Sequence, residues 1–294
     1  MSTKGNIGLK AAINASARHI FDHLIKPELL VKWFCDTVEL EPREGGRIKF
    51  GGPHSFMASF IEQEGVGRIE KFNSPHNLEF SFLCNGASSS IEYQMVEQDG
   101  KTELTLIQKN IPRESLMMDG LIVCLSNLIN VAENDTDPYR LNYLTDIEDE
   151  TIQREIIVDG SPEKIFKALL DKNELALWFS DHTEQVDPQV GGIYDVGWRD
   201  KKGHQIGPGK ITDLQENRIL SYSWDLKKND GKLARWELIP MKDKTKVRLT
   251  HEGFKPGRYN KDYVQGWHAY MLTLKEYIEK GQRPFEVIEG NWNY

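Results

Sequence analysis

The sequence predicts an α+β protein made of two tandem copies of one unit. Each copy is expected to be a curved antiparallel sheet wrapped around a long C-terminal helix, with two short helices after the first strand. Three observations support this fold class. Residues 262–280 have the spacing of a long amphipathic helix, a weaker version of that helix occurs 146 positions earlier, and strand-like runs with alternating apolar residues precede both.

The helix at 262–280 organises the second copy. Aromatic and aliphatic residues recur along it at spacings of four and three, at Tyr263, Trp267, Tyr270, Leu274 and Tyr277. Lys280 lies in the last turn, and Gly281 tolerates the left-handed conformation of a C-cap. Because a stripe this wide needs a large apolar partner, we expect a sheet to curve around the helix.

The start of each copy carries the second sign of a repeat. A strand-like segment is followed by a serine suited to cap a short helix, Ser16 in the first copy and Ser161 in the second. Further along, the motif Trp33-Phe34-x-Asp36 matches Trp178-Phe179-x-Asp181 at an offset of 145. The agreement of cap, apolar phase and aromatic pair predicts that both copies have the same fold.

The segments between these helices and the long one read as half-buried strands. In residues 78–82 and 220–224, every second residue is large and apolar while its neighbours are Ser or Glu. The last strand of each copy continues this phase, which places Gln108 in the first copy and His251 in the second on the inner face.

Composition is typical of a globular protein of about two domains: 294 residues, 28% charged and 39% hydrophobic. The net charge of -8 is spread over both copies, with 14 basic and 19 acidic residues up to Thr145 and 23 and 26 after it. Since neither half is basic, nucleic acid and anionic membrane are not expected as partners.

Localisation and redox state follow from simple features. The N-terminus has no apolar core of signal-peptide length, and no run approaches the roughly 18 residues of a membrane span, so a cytoplasmic location is expected. Cys35, Cys84 and Cys124 fit neither a disulfide framework nor metal-ligand spacing, and we expect buried, reduced thiols.

The predicted domains are residues 1–134, a diverged copy, and 151–281, a more regular one. Between them, residues 135–150 are acidic and are predicted to be a solvated linker, although Tyr139, Leu141, Tyr143 and Leu144 could instead dock between the domains. The tail at 282–294 is too apolar to be wholly exposed, so we expect it to pack on a domain surface.

Several motifs of the second copy occur together: Trp178-Phe179, Gly191-Gly192, Gly207-x-Gly209, Leu220-x-Tyr222-x-Trp224, Thr245-x-Val247-x-Leu249-x-His251-x-Gly253 and Gly266-Trp267. They resemble the AHSA-type domain, named for homologues of the activator of the ninety-kilodalton heat-shock chaperone's ATPase, of the helix-grip, START-like or SRPBCC superfamily. In the first copy, Leu121 and Gln108 replace Trp267 and His251. The resemblance implies an apolar cavity between sheet and long helix but no particular ligand.

The candidate ligand site is a set of nine residues, eight of them aromatic, in the second copy. Rings usually fill a core, yet this many rings with polar tips would also suit the floor of a cavity. The set is Tyr194, Trp198, Tyr222, Trp224, Trp236, His251, Trp267, Tyr270 and Met271. His251 is either a general acid or base or a hydrogen-bonded core residue. Asp195 and Arg199 could orient a polar group, although exposed, partly paired charges are expected.

The leading functional hypothesis is non-enzymatic binding of a small hydrophobic molecule between sheet and long helix, chiefly in the second domain. No catalytic constellation, metal site or cofactor motif is recognisable in the sequence, so no cofactor is expected. One alternative is a co-chaperone that modulates the heat-shock chaperone's ATPase. Another is a cyclase-like enzyme in which His251 or Asp195 moves protons on a ring-containing apolar substrate.

Overall fold

A computed structural model describes residues 4–56, 58, 61, 64–112, 118–134, 138–144, 149–200, 202–224, 231–254 and 261–289. The chain divides into two compact units: Met1–Asp146 with Phe285–Trp292, and Ile147–Pro284 with Asn293–Tyr294. The domain boundaries predicted from the sequence remain predictions. Residues 135–137 and 145–148 of the predicted linker, and 290–294 of the predicted tail, lie outside the described residues.

The first unit is an antiparallel sheet with two short helices after its first strand and a long helix after its seventh. Its elements are β1 (Lys4–Ile13), α1 (Ala17–Ile25), α2 (Pro27–Trp33), β2 (Thr37–Leu40), β3 (Arg47–Gly51), β4 (Glu64–Asn73), β5 (Asn77–Cys84), β6 (Ala87–Gln98), β7 (Lys101–Pro112) and α3 (Met118–Glu133).

The second unit repeats this order. Its elements are β8 (Thr151–Val158), α4 (Pro162–Leu170), α5 (Lys172–Trp178), β9 (Gln185–Val186), β10 (Tyr194–Asp195), β11 (Pro208–Gln215), β12 (Ile219–Trp224), β13 (Leu233–Pro240), β14 (Thr245–Glu252) and α6 (Lys261–Lys280).

The last strands of each unit pair in the corresponding order, with the first strand beside the strand that precedes the long helix. The main sheet of the second unit has the order β11-β12-β13-β14-β8, with β9 and β10 as a separate ladder. In the first unit the order is β1-β7-β6-β5-β4-β3-β2, and a last strand, β15 (Glu286–Glu289), adds to the free side of β1. The segment after α6 therefore contributes a strand to the sheet of the first unit.

Local sequence explains where the short helices begin. The Ser16 and Ser161 hydroxyls accept hydrogen bonds from the backbone N–H groups of His19 and Lys164, which satisfies donors that a helix start leaves open. Pro162 occupies the first turn, where its missing N–H costs nothing.

The inner faces of the strands form the core. Along β14, Val247, Leu249 and His251 are buried while the alternating residues are half-exposed, which is the predicted phase. On α6, Trp267, Tyr270 and Leu274 are buried. The helix predicted at 262–280 is observed at Lys261–Lys280, and the α+β fold with two helix-grip copies is confirmed.

The outer face of the first sheet carries a buried ion cluster. The carboxylates of Glu79 and Glu92 both contact the ammonium groups of Lys71 and Lys109. Burial tends to raise the pKa of Glu92, but hydrogen bonds from Asn77 and the two lysines outweigh it and hold the pKa at about 2. The cluster joins strands β4, β5, β6 and β7.

The three cysteines are free and buried, as the sequence predicts. Burial raises the pKa of Cys35 to about 12, so its thiol stays protonated at neutral pH. Among the helices of the described chain, none is long and apolar enough to cross a membrane.

Candidate functional site

The second unit gathers the eight aromatic residues of the predicted ligand site into one buried cluster of the sheet, α6 and the Trp198 segment, and Met271 is also buried, on α6. Seven of the nine are at most 3% exposed. Trp198, on the segment between β10 and β11, and Trp224, at the end of β12, keep 7% and 5% of their surface exposed. These two indoles therefore lie nearest to solvent.

The rings pack edge to face and in offset stacks. Tyr194 stacks on Tyr222 with centroids 4.7 Å apart, and Trp224 lies 4.8 Å from Trp267. Trp198 is 5.8 Å from both Trp224 and Tyr270. Because these separations are those of favourable aromatic pairs, the cluster forms one continuous aromatic surface.

Hydrogen bonds fix the polar tips of several rings. The Tyr194 hydroxyl donates to the Leu169 carbonyl at 2.7 Å, and the Trp236 Nε1–H donates to the Tyr222 hydroxyl at 2.9 Å. Burial raises the pKa of both tyrosine hydroxyls, so neither ionises at neutral pH. These two tyrosines are held as neutral, structural groups.

His251 is bonded to the long helix. The Trp267 Nε1–H can only donate, and it donates to His251 Nδ1 at 2.8 Å. A neutral imidazole with an accepting Nδ1 carries its proton on Nε2. The ring is wholly buried and lies 4.7 Å from the Phe254 ring. A general-base role at Nδ1 would require breaking the bond to Trp267, so this geometry favours the structural interpretation of His251.

Trp224 brings a buried hydrogen-bond donor into the cluster. Its indole Nε1–H is buried and has no hydrogen-bond acceptor among the described residues. The ring is enclosed by Trp198, Trp267 and His251, the last at 5.0 Å. An unsatisfied buried donor costs free energy, and an acceptor supplied by a bound molecule would recover it.

Two glycines flank the Trp198 ring in the chain. Gly207 has a φ of +81°, and a Cβ there would lie 2.6 Å from Trp198 Cε3. Gly197, with a φ of +80°, leaves no room for a Cβ because the His182 carbonyl oxygen would be 1.9 Å away. The position of the Trp198 ring therefore depends on glycine at 207, and the backbone beside it depends on glycine at 197.

The charges beside Trp198 differ from expectation. Asp195 is only 8% exposed, whereas the sequence suggested exposed, partly paired charges. Both Asp195 carboxylate oxygens accept from Arg199, at 3.0 and 2.8 Å, and this pairing raises the pKa of the guanidinium. Arg199 also donates to Glu184 at 2.6 Å. The bidentate geometry makes Asp195 an anchor for the Trp198 segment.

Phe179 also belongs to the cluster, although the site prediction omits it. Its ring lies 4.6 Å from Tyr270 and 5.4 Å from Trp198. The sequence signal for Phe179 is the Trp-Phe pair that occurs in both copies, which indicates a shared position in the core as well as a repeat.

The first unit contains a small, partly open cavity. Its volume is about 10 Å³, and its lining is almost wholly apolar: Leu24, Leu30, Phe34, Val38, Ile48, Phe80 and Tyr93. The Tyr93 hydroxyl and the Cys124 thiol on α3 form a hydrogen bond. The cavity thus lies between the sheet and the helices, in the copy that the sequence analysis treated as the lesser candidate.

No group of three or more His, Cys, Asp or Glu side chains suited to a metal ion occurs among the described residues. His268, on α6, is nearly fully buried, and burial lowers its pKa to about 3, with a smaller effect from Arg154. This imidazole is therefore neutral at physiological pH.

Comparison with known proteins gives a family and several structural neighbours. A family model described as Activator of Hsp90 ATPase homolog 1-like protein matches residues 14–131 and again residues 159–279. No curated protein matches the chain.

The structural neighbours have low sequence identity. The Aha1 dimer from Colwellia psychrerythraea is 24% identical over 45% of this chain and 97% of its own, with a TM-score of 0.39. CalU16 from Micromonospora echinospora is 20% identical over 44% and 77%, with a TM-score of 0.37. DynU16, a protein of the dynemicin biosynthetic locus, is 14% identical over 93% and 99%, with a TM-score of 0.40. Since the family model covers most of the sequence in two separate matches, the chain belongs to the Activator of Hsp90 ATPase homolog 1-like family and carries two copies of its domain.

Proposed function

We propose that the protein binds a small, flat, apolar molecule carrying a hydrogen-bond acceptor, and that the second unit holds it against the aromatic cluster without catalysis. The observation that carries the proposal is the buried Trp224 Nε1–H, which has no acceptor among the described residues. A carbonyl or ether oxygen placed over Trp224 would satisfy this donor.

The surrounding chemistry supports an aromatic or polycyclic ligand. Trp198, Trp267 and Tyr270 present ring faces and edges close to Trp224, directly or through one another. Flat apolar molecules gain both area burial and favourable ring geometry on such a surface. The hydrogen bond to Trp224 would then select among molecules of similar shape.

Entry would proceed by displacement of Trp198. Its ring contacts Trp224 and is among the most exposed of the nine predicted residues. Its segment is anchored at Asp195 by Arg199 and bounded by Gly197 and Gly207. Rotation of one side chain between fixed ends would uncover Trp224 while leaving the sheet intact.

A matched pair of probes tests this proposal. 2-Acetonaphthone carries a ketone oxygen, and 2-isopropenylnaphthalene has the same shape with a methylene group in its place. Isothermal titration of the full-length protein should give at least fivefold tighter binding of the ketone, since a hydrogen bond to a buried donor is worth about 1 kcal/mol or more.

Substitution then assigns the preference to one atom. The Trp224→Phe protein should bind the ketone and the hydrocarbon with about equal affinity. The Trp236→Phe protein should still bind the ketone more tightly, because the Trp236 donor already bonds to Tyr222. A ketone preference that survives in Trp224→Phe, or the absence of binding by both probes, would refute the proposal. Native mass spectrometry of protein purified without denaturation then identifies the natural ligand.

The family description favours a second candidate, a co-chaperone of the Hsp90 ATPase. Its test is the ATPase rate of that chaperone with and without the full-length protein, together with a pull-down. An unchanged rate and no capture would remove this candidate. We also propose a cytoplasmic location, since Cys35, Cys84 and Cys124 are all free thiols, which is typical of a reducing compartment.

A further inference from the structure

Gln108 is a buried carboxamide in the core of the first unit. It is 0% exposed, and neither its Oε1 nor its Nε2 has a hydrogen-bond partner within the part of the chain that the structure describes. It follows Leu104 and Leu106 on the inner face of β7, and its strand partners are Ile7 on β1 and Ile91 on β6. One acceptor and two donors therefore lie in an apolar environment.

Such a group is unusual in a folded protein. Burial of an amide without hydrogen bonds costs free energy, and the great majority of buried polar side-chain atoms have a partner. An exception calls for an occupant that supplies the partner. A lone water, an ion or a polar group of a ligand would each do so.

The repeat allows a comparison at this position. In the second unit the equivalent residue is His251, and the helix residue at the equivalent of Leu121 is Trp267, which donates to it at 2.8 Å. Leu121 has no polar side-chain atom, so it cannot donate to Gln108 in the same way. The first unit therefore has an apolar residue at the position of the helix donor, while the strand residue is polar in both units.

Incomplete packing occurs on the same inner face. The cavity of about 10 Å³ in this unit has Phe80 and Tyr93 in its lining. Phe80 pairs with Ile91 across β5 and β6, and Ile91 pairs with Gln108 across β6 and β7. Gln108 is therefore separated from the cavity-lining Phe80 by one residue, Ile91, across the sheet. A bound molecule that extended the cavity past Ile91 would reach the Gln108 carboxamide.

We propose that the first unit has its own ligand site, in which Gln108 binds the amide or lactam group of an otherwise apolar molecule. A carboxamide and a second amide can exchange two parallel hydrogen bonds, one in each direction, which satisfies Oε1 and one Nε2–H together. A simple ketone cannot form this pair, because it has no donor for Oε1. The site thus differs in chemistry from that of Trp224, which can only donate, and it does not depend on it.

The experiment uses the full-length protein with glutamine side-chain amides labelled with ¹⁵N, and 2-naphthamide as the probe. The Gln108 signal is identified by its absence in Gln108→Met. Addition of 2-naphthamide should shift that signal, and 2-isopropenylnaphthalene should not. The affinity for 2-naphthamide at this site should fall at least tenfold in Gln108→Met, because a site built around hydrogen bonds discriminates strongly.

Three further measurements make the result decisive. Gln98→Met, which alters an exposed glutamine on β6, should leave the affinity unchanged. Trp224→Phe should leave the Gln108 shift unchanged, which separates this site from the second unit. If Gln108→Met does not fold, the Gln108 amide signal is assigned by triple-resonance spectroscopy of the wild-type protein, and a nuclear Overhauser effect between it and probe protons supports the proposal. An unmoved Gln108 signal, no Overhauser contact at saturating probe, or unchanged affinity in a folded Gln108→Met protein would overturn it.

Discussion

The bond between Trp267 and His251 should contribute measurably to the stability of the second unit. Trp267→Phe removes the indole Nε1–H that donates to His251 Nδ1 at 2.8 Å. The Nδ1 atom of this wholly buried imidazole then loses that hydrogen bond. Loss of the bond should cost about 1–3 kcal/mol, and the smaller ring about 1–2 kcal/mol more. Trp224→Phe makes the same change in size at a ring whose Nε1–H has no acceptor in the described part of the chain. This variant should lose only about 1–2 kcal/mol of stability, which comes from the smaller ring. The loss should be smaller still because Trp224→Phe also removes an unsatisfied buried donor.

The assay is urea unfolding of the full-length variants, followed by tryptophan fluorescence. This signal reports mainly on the second unit, which holds five of the tryptophans: Trp178, Trp198, Trp224, Trp236 and Trp267. Trp267→Phe should be less stable than Trp224→Phe by about 1–3 kcal/mol. In a double-mutant cycle with His251→Leu, the Trp267→Phe effect should shrink by about 1 kcal/mol or more. Equal effects of the two Trp→Phe variants, or additivity within about 0.4 kcal/mol in the cycle, would show that the bond contributes nothing.

Two further predictions concern the ion cluster and the Trp198 segment. Because the folded pKa of Glu92 lies at about 2, below its unfolded value, its stabilisation is present above about pH 4.5 and is lost as the pH falls towards 2, by on the order of 2–3 kcal/mol. Urea midpoints at pH 5 and pH 3 should differ in the wild-type protein and much less in Glu92→Gln; the same pH dependence in both would contradict the prediction. Gly207→Ala should destabilise the protein by about 2 kcal/mol or more and alter the near-ultraviolet circular dichroism of Trp198, since it adds a clash to the strain of a positive φ. Gly203→Ala, with a similar φ of +82° and open space around it, should show the strain alone, about 1 kcal/mol; equal effects of the two would remove the clash from the explanation.

The fold was predictable because it depends on periodicity. The stripe of α6 and the alternation of β14 follow from which residues must be buried, and the repeat supplied a second, independent reading of the same pattern. Phase also placed His251 on the inner face, and the eight aromatic residues of the site lie in one cluster. Residue types and spacing were sufficient for these conclusions.

The hydrogen-bond partners inside the site were not predictable in this way. Phase places Trp267 and His251 on facing elements, but whether their nitrogens meet depends on the strand register and on side-chain rotamers. The burial of Asp195 depends on Arg199 folding back over its own strand end. Trp224 Nε1–H has no acceptor among the described residues, and this depends on every group around the indole. The spacing of residues in the sequence does not predict it.

The two units together indicate which polar positions in the core are structural. A strand residue kept polar only to bond the helix would lose its purpose once the helix donor is gone. Replacing both partners of a buried hydrogen bond by apolar groups is nearly neutral or stabilising, whereas keeping one alone is costly. The first unit has Leu121 on the helix and a carboxamide at Gln108, neither of whose polar atoms has a hydrogen-bond partner among the residues that the structure describes. Packing alone would favour an apolar residue there, so a bound polar group explains the glutamine better than the architecture of the core does.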